Sequence, residues 1–115
     1  MDKRILYKAM VFAFIALTSS ISFGSEVVEV CATYKNTGEK YKVKANVMSG
    51  EELNQKTNDF RYKYLSTYAI IFWGKDQASV IELSVAPDGI TIVGVTGKDQ
   101  QGHPWELTTS LFFCN

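Results

Sequence analysis

Histidine is nearly missing from this chain: His103 is the one such residue among 115. Cysteine is represented only by Cys31 and Cys114, and proline only by Pro87 and Pro104. Two distant cysteines and one histidine supply too few ligands for a zinc site, and no Gly-rich phosphate loop occurs, so no metal and no cofactor are expected. His103 follows a glycine loop and precedes Pro104-Trp105, with no serine or cysteine at a spacing that marks a nucleophile. The carboxylates Asp59, Asp76, Asp88 and Asp99 fall singly in turns, and nothing pairs them for glycoside chemistry. An enzyme is therefore not expected. A formal net charge of zero leaves no basic field for nucleic acid or anionic lipid, the one local cluster being Lys40, Lys42 and Lys44.

Long apolar runs are also missing. The longest, Ala9 to Leu17, falls well short of the roughly 20 residues that span a bilayer. Preceded by Lys3, Arg4 and Lys8 and followed by small and polar residues up to Gly24, it reads as a secretory signal peptide over residues 1–24. Cleavage is expected before Ser25, leaving residues 25–115 as one small domain. Losing Lys3, Arg4, Lys8 and Asp2 from twelve basic and twelve acidic residues leaves nine and eleven, a net charge of about −2. The compact leader and the lack of an Asn-x-Ser/Thr acceptor point to bacterial export, the periplasm before the medium. A domain of about ninety residues is marginal without a staple. Cys31 and Cys114, near its two ends in an oxidising compartment, are expected to form a disulfide.

What is present is strand pattern. Glu26 to Tyr34 alternates Val28, Val30, Ala32 and Tyr34 against Glu29, Cys31 and Thr33. After the turn Asn36-Thr37-Gly38, Lys40 to Val47 alternates Tyr41, Val43, Ala45 and Val47 against Lys42, Lys44 and Asn46. The two predict a hairpin with a lysine-rich outer face. Ser49 with Glu52 is a capping-box pattern, and Met48 with Leu53 has the spacing of a hydrophobic staple, so one or two helical turns are predicted there. Phe60 to Trp73 reads as the long central strand, with Phe60, Tyr62, Tyr64, Tyr68, Ile70 and Phe72 sharing a face; its second half, where Ala69, Ile71 and Trp73 interleave, is apolar on both faces and is expected to be covered on both sides or closed into a barrel, with Phe72 in the core. Gly74 to Gln77 turns the chain into a strand from Ala78 to Val85, and Pro87-Asp88-Gly89 is the strongest turn signal. Ile90 to Thr96 is the next strand, with a bulge expected at Gly94. The loop from Gly97 to Gly102 leads to a last strand from His103 to about Thr109, and the apolar end Leu111-Phe112-Phe113-Cys114 is expected to dock on the body. The fold class is all-β with at most one short helix: an antiparallel meander of about six strands, closed into a barrel or folded into a sandwich.

With no constellation for chemistry, function is expected to lie in a surface. The candidate contacts are Trp73, Lys75, Asp76 and Gln77 at one turn and the loop from Lys98 to His103 with Trp105 at another, because tyrosine, tryptophan and loop polar groups are frequent at interfaces. Cys31 on a first strand, the terminal Cys114, the stretch Ser66 to Tyr68 and Phe72-Trp73-Gly74-Lys75 with Ala78 resemble the bacterial periplasmic inhibitors of c-type lysozyme. Those inhibitors carry Ser-Gly before the tyrosine, where this chain has Ser66-Thr67-Tyr68, and here a further hairpin precedes the final cysteine. The resemblance implies that Ser66, Tyr68 and Lys75 contact a partner. The expected function is an exported binding protein of the inhibitor or immunity type that binds another protein; the alternative is a barrel that binds a small ligand or the cell envelope.

Overall fold

The computed structural model describes residues 26–85, 90 and 93–114. The leader, its cleavage point, the turn Pro87-Asp88-Gly89 and Asn115 lie outside the described residues. Six strands, β1 (Glu26–Tyr34), β2 (Glu39–Ser49), β3 (Thr67–Gly74), β4 (Gln77–Leu83), β5 (Val95–Lys98) and β6 (Pro104–Thr108), form a closed barrel in sequence order. Every pairing is antiparallel, and β1 closes on β6 with Tyr34 opposite Trp105 and Cys31 opposite Thr108. A short helix, α1 (Gly50–Thr57), joins β2 to β3.

The first hairpin follows its alternation. Val28, Val30, Ala32 and Tyr34 from β1 and Tyr41, Val43 and Ala45 from β2 face the barrel interior, while the lysines face water. Cys31 sits on the outer face and is nonetheless buried, because the C-terminal tail returns over it and Cys114 bonds to it at a Cα separation of 5.6 Å. The tail holds on through Cys114 and the half-buried Leu111; Phe112 and Phe113, expected to dock, are exposed and pack on each other.

The helix starts where the capping box marks it. Ser49 is the N-cap, its hydroxyl accepting from the Glu52 N–H at 3.1 Å, and Met48 and Leu53 meet in a second apolar cluster with Tyr68 and Ile70. Burial of such side chains is worth roughly 1.5–3 kcal/mol each. Asn58, in the left-handed conformation at φ 58°, ends the helix by returning its N–H to the Asn54 carbonyl.

Residues 60–66 are not strand. The backbone groups that a ladder would need are taken by α1 and its surroundings. Asn54 holds Tyr62 by both its N–H and its carbonyl at 3.0 Å, the Tyr68 hydroxyl accepts from the Lys63 N–H, and the Tyr64 and Ser66 carbonyls accept from Glu51 and Gly50 at the helix start. Gly50 permits this approach, since a Cβ there would overlap the Lys63 carbonyl. The alternation of Phe60, Tyr62 and Tyr64 therefore does not mark a sheet face, and Phe60 is 93% exposed.

Both faces of β3 are covered as far as Ile71, as its two-sided apolar pattern predicts, and Phe72 departs from expectation. Ala69, Ile71 and Trp73 point inward, where a small barrel is filled by its own side chains. Tyr68 and Ile70 point outward and are buried only because α1 covers them. Phe72 extends beyond that cover and is 67% exposed. After β4, β5 begins at Val95 and not Ile90, so Gly94 precedes the strand with φ 94°, and Gly97 and Lys98, expected in a loop, are strand residues. Gly97 faces inward against β4, where a Cβ would come within 2.4 Å of the Glu82 carbonyl oxygen.

Candidate functional site

In an antiparallel meander the turns between β1 and β2, β3 and β4, and β5 and β6 all lie at one end of the barrel, with α1 at the other. Inward residues nearest those turns therefore converge. They are Tyr34 and Tyr41 flanking the first turn, Trp73 and Ser79 flanking the second, and Trp105 following the third. Together with Asp99, Gln101 and His103 of the third turn they line an open cup of about 350 Å³.

The rings are walls set at angles. Tyr41 stands edge-on to Trp73 with centroids 5.2 Å apart, Tyr34 tilts against Trp105 at 5.1 Å, and Trp73 stacks over Trp105 at 5.7 Å. Trp105 is the floor, 6% exposed, while Tyr34, Tyr41 and Trp73 are half-buried. A break in the β3–β4 register between Phe72 and Gly74 releases Trp73 from the ladder, and its indole N–H donates to the Ser79 hydroxyl at 2.8 Å. The Tyr41 hydroxyl donates to Glu39 at 2.7 Å; that bond first, and the Glu39 charge with it, hold the phenol above its ordinary pKa and keep it neutral.

Asp99 organises the third turn. Its Oδ1 accepts from the Gln101 and His103 amides, both at 2.9 Å, and its Oδ2 accepts from the Trp105 indole at 3.0 Å, with His103 Nδ1 at 3.6 Å. Burial opposes the charged carboxylate, but the indole and the two amides outweigh it and lower the pKa below the usual carboxylate range. Asp99 is thus an ionised group whose side chain is 7% exposed. Beside it, Gln100 leaves the turn to bond the Val80 N–H at 2.8 Å and the Ala78 carbonyl at 2.9 Å. There β5 no longer pairs with β4, whose partnered residues are Glu82 and Leu83. The amide side chain takes the place of a missing strand and fixes the turn to the barrel wall.

Of the residues anticipated from the sequence, Trp73, His103 and Trp105 meet in the cup. Lys75, Asp76 and Gln77 are exposed in the adjoining hairpin, Asp76 in the left-handed conformation at φ 64°, and Lys98 lies on the outer wall opposite Glu82. Trp105, anticipated as a surface contact, is buried and hydrogen-bonded. Ser66 and Tyr68 lie at the helix end, away from Lys75. The Ser66 hydroxyl donates to Glu82 at 3.0 Å, and Tyr68 is buried under α1, where desolvation raises its phenol pKa against a bond from the Lys63 N–H. The three residues drawn from the inhibitor resemblance are therefore not brought together. Sequence reasoning missed Tyr34, Tyr41 and Ser79, and included Asp99 only as part of the loop from Lys98 to His103; Tyr34 and Tyr41 were signalled by a shared inward face on either side of Asn36-Thr37-Gly38.

No family model, no curated protein and no solved structure matches this chain. No helix among the described residues is long and apolar enough to cross a membrane.

Proposed function

We propose that this chain is an exported, non-catalytic binding protein that grips another protein at the hairpin end of its barrel. The observation that carries the reading is the cup itself: three half-buried rings over a buried tryptophan, rimmed by polar groups and open to solvent. Aromatic anchors in a partly desolvated recess with a polar surround are the usual make-up of an interface hot spot. The barrel keeps the recess preformed, which lowers the cost of ordering on binding. The disulfide is compatible with export. Inhibition of an enzyme and neutralisation of a toxin are the two roles such a grip serves best.

Pull-down with the oxidised domain, from extracts and with purified c-type lysozyme as a defined prey, tests the reading. A single stoichiometric protein partner should be held by the wild type and released by Trp73→Leu, with a loss of at least about 2 kcal/mol. Capture unaffected by Trp73→Leu, or no protein captured, overturns it. Saturable binding of a small molecule in place of a protein would favour the second reading, since a volume of about 350 Å³ lies within the range of small-ligand sites.

A further inference from the structure

We infer that the cup receives a cationic side chain, a lysine or arginine supplied by the protein partner; the inference rests on the cup being the binding face. Four ring systems, Tyr34, Tyr41, Trp73 and Trp105, surround the recess, and ring faces carry negative potential. Asp99 adds a full negative charge at the same place. Its oxygens are occupied by N–H donors, yet among the described residues no lysine or arginine forms an ion pair with it, and His103 at 3.6 Å is its one possible ionic neighbour. Such a carboxylate, largely shielded from water, is only weakly screened.

The cations of this end point elsewhere. Lys35 and Lys98 line an outer groove that adjoins the cup at Trp105, Lys40 lines another beside Glu39 and Tyr41, Lys75 is exposed in its turn, and neither lysine nor arginine lines the cup itself. Ring geometry argues in the same direction. Tyr41 meets Trp73 at 69° and Tyr34 meets Trp105 at 49°, while Trp73 and Trp105 lie near parallel at 25°, so ring surfaces meet the recess from several directions, as a charged head that is attracted to ring faces requires. The Tyr41–Glu39 bond keeps a neutral phenol as one wall of the recess.

Titration of the oxidised domain at pH 8 with N-acetyl-arginine amide, followed by tryptophan fluorescence, tests the inference against the isosteric, uncharged citrulline derivative. A saturable response to the arginine probe is expected, at least tenfold weaker for citrulline, and weakened at least threefold by Tyr41→Leu, which keeps apolar bulk but removes a ring face. Circular dichroism of Tyr41→Leu confirms that the barrel is intact; should it fail to fold, Tyr34→Leu serves the same comparison. Equal responses to the two probes, no saturable response to either, or a response that ring removal leaves unchanged overturns the cationic occupant. Partner capture that depends on Trp73 would survive that outcome, so failure of the occupant and failure of the cup as binding face are told apart.

Discussion

Asp99 concentrates at one carboxylate the folding of a turn, the orientation of a buried indole and the charge of the recess. Because three N–H donors hold its folded-state pKa below the ordinary value of about 3.9, its contribution to stability is complete above that value and disappears as pH falls through the lower, folded one. Asp59 acts with the same sign, chiefly through the Phe60 amide, but at a half-buried site on the surface. The melting temperature should therefore drop between pH 5 and pH 2, and Asp99→Asn should flatten that drop while lowering stability at pH 7. Thermal melts of the two proteins across this range check the expectation, and parallel curves would assign the acid sensitivity elsewhere. Little of this was visible beforehand. A lone aspartate in a polar loop reads as a turn former, and its link to Trp105 depends on how the hairpin closes.

At the level of strands and helix, spacing was most informative where a segment had no competing partner. β1 and β2 form the expected hairpin, with the inward and outward residues as the alternation assigns them, and the Ser49 cap with the Met48–Leu53 staple marked the start of α1. Failure came in the segment with the strongest pattern. From Phe60 to Tyr64 the alternation is real, but Asn54 and the first turn of α1 take the backbone groups that a strand would use. Along β3 the two-sided apolar pattern was right as far as Ile71 and failed at Phe72, which lies past the cover of α1. Cup residues on different strands were legible singly, as aromatics beside turns, but their convergence needed the closed topology. The assignment has a sharp test. Phe72→Ala should change stability by no more than about 0.5 kcal/mol as an exposed substitution. Ile71→Ala, at a fully buried neighbour, should cost about 2–5 kcal/mol. Denaturant titration of both variants decides the matter, and a reversed order would return the core to the Phe72 face.

For the molecule as a whole, one interior core and one smaller cluster under α1 must hold a short chain together. The bond between Cys31 and Cys114 closes a separation of 83 residues, which the loop-entropy relation values at about 4.5 kcal/mol. Cys31→Ser should accordingly lower the melting temperature of the oxidised protein by many degrees, and an unchanged midpoint in calorimetry would show that the barrel stands without its clasp. The same bond makes nearly the whole domain a covalent ring. A single backbone cut at any point between the two cysteines, in the segment from Phe60 to Leu65 or beyond β4, opens the ring without parting it. A nicked molecule would migrate as one species on a non-reducing gel and separate into two pieces only after reduction.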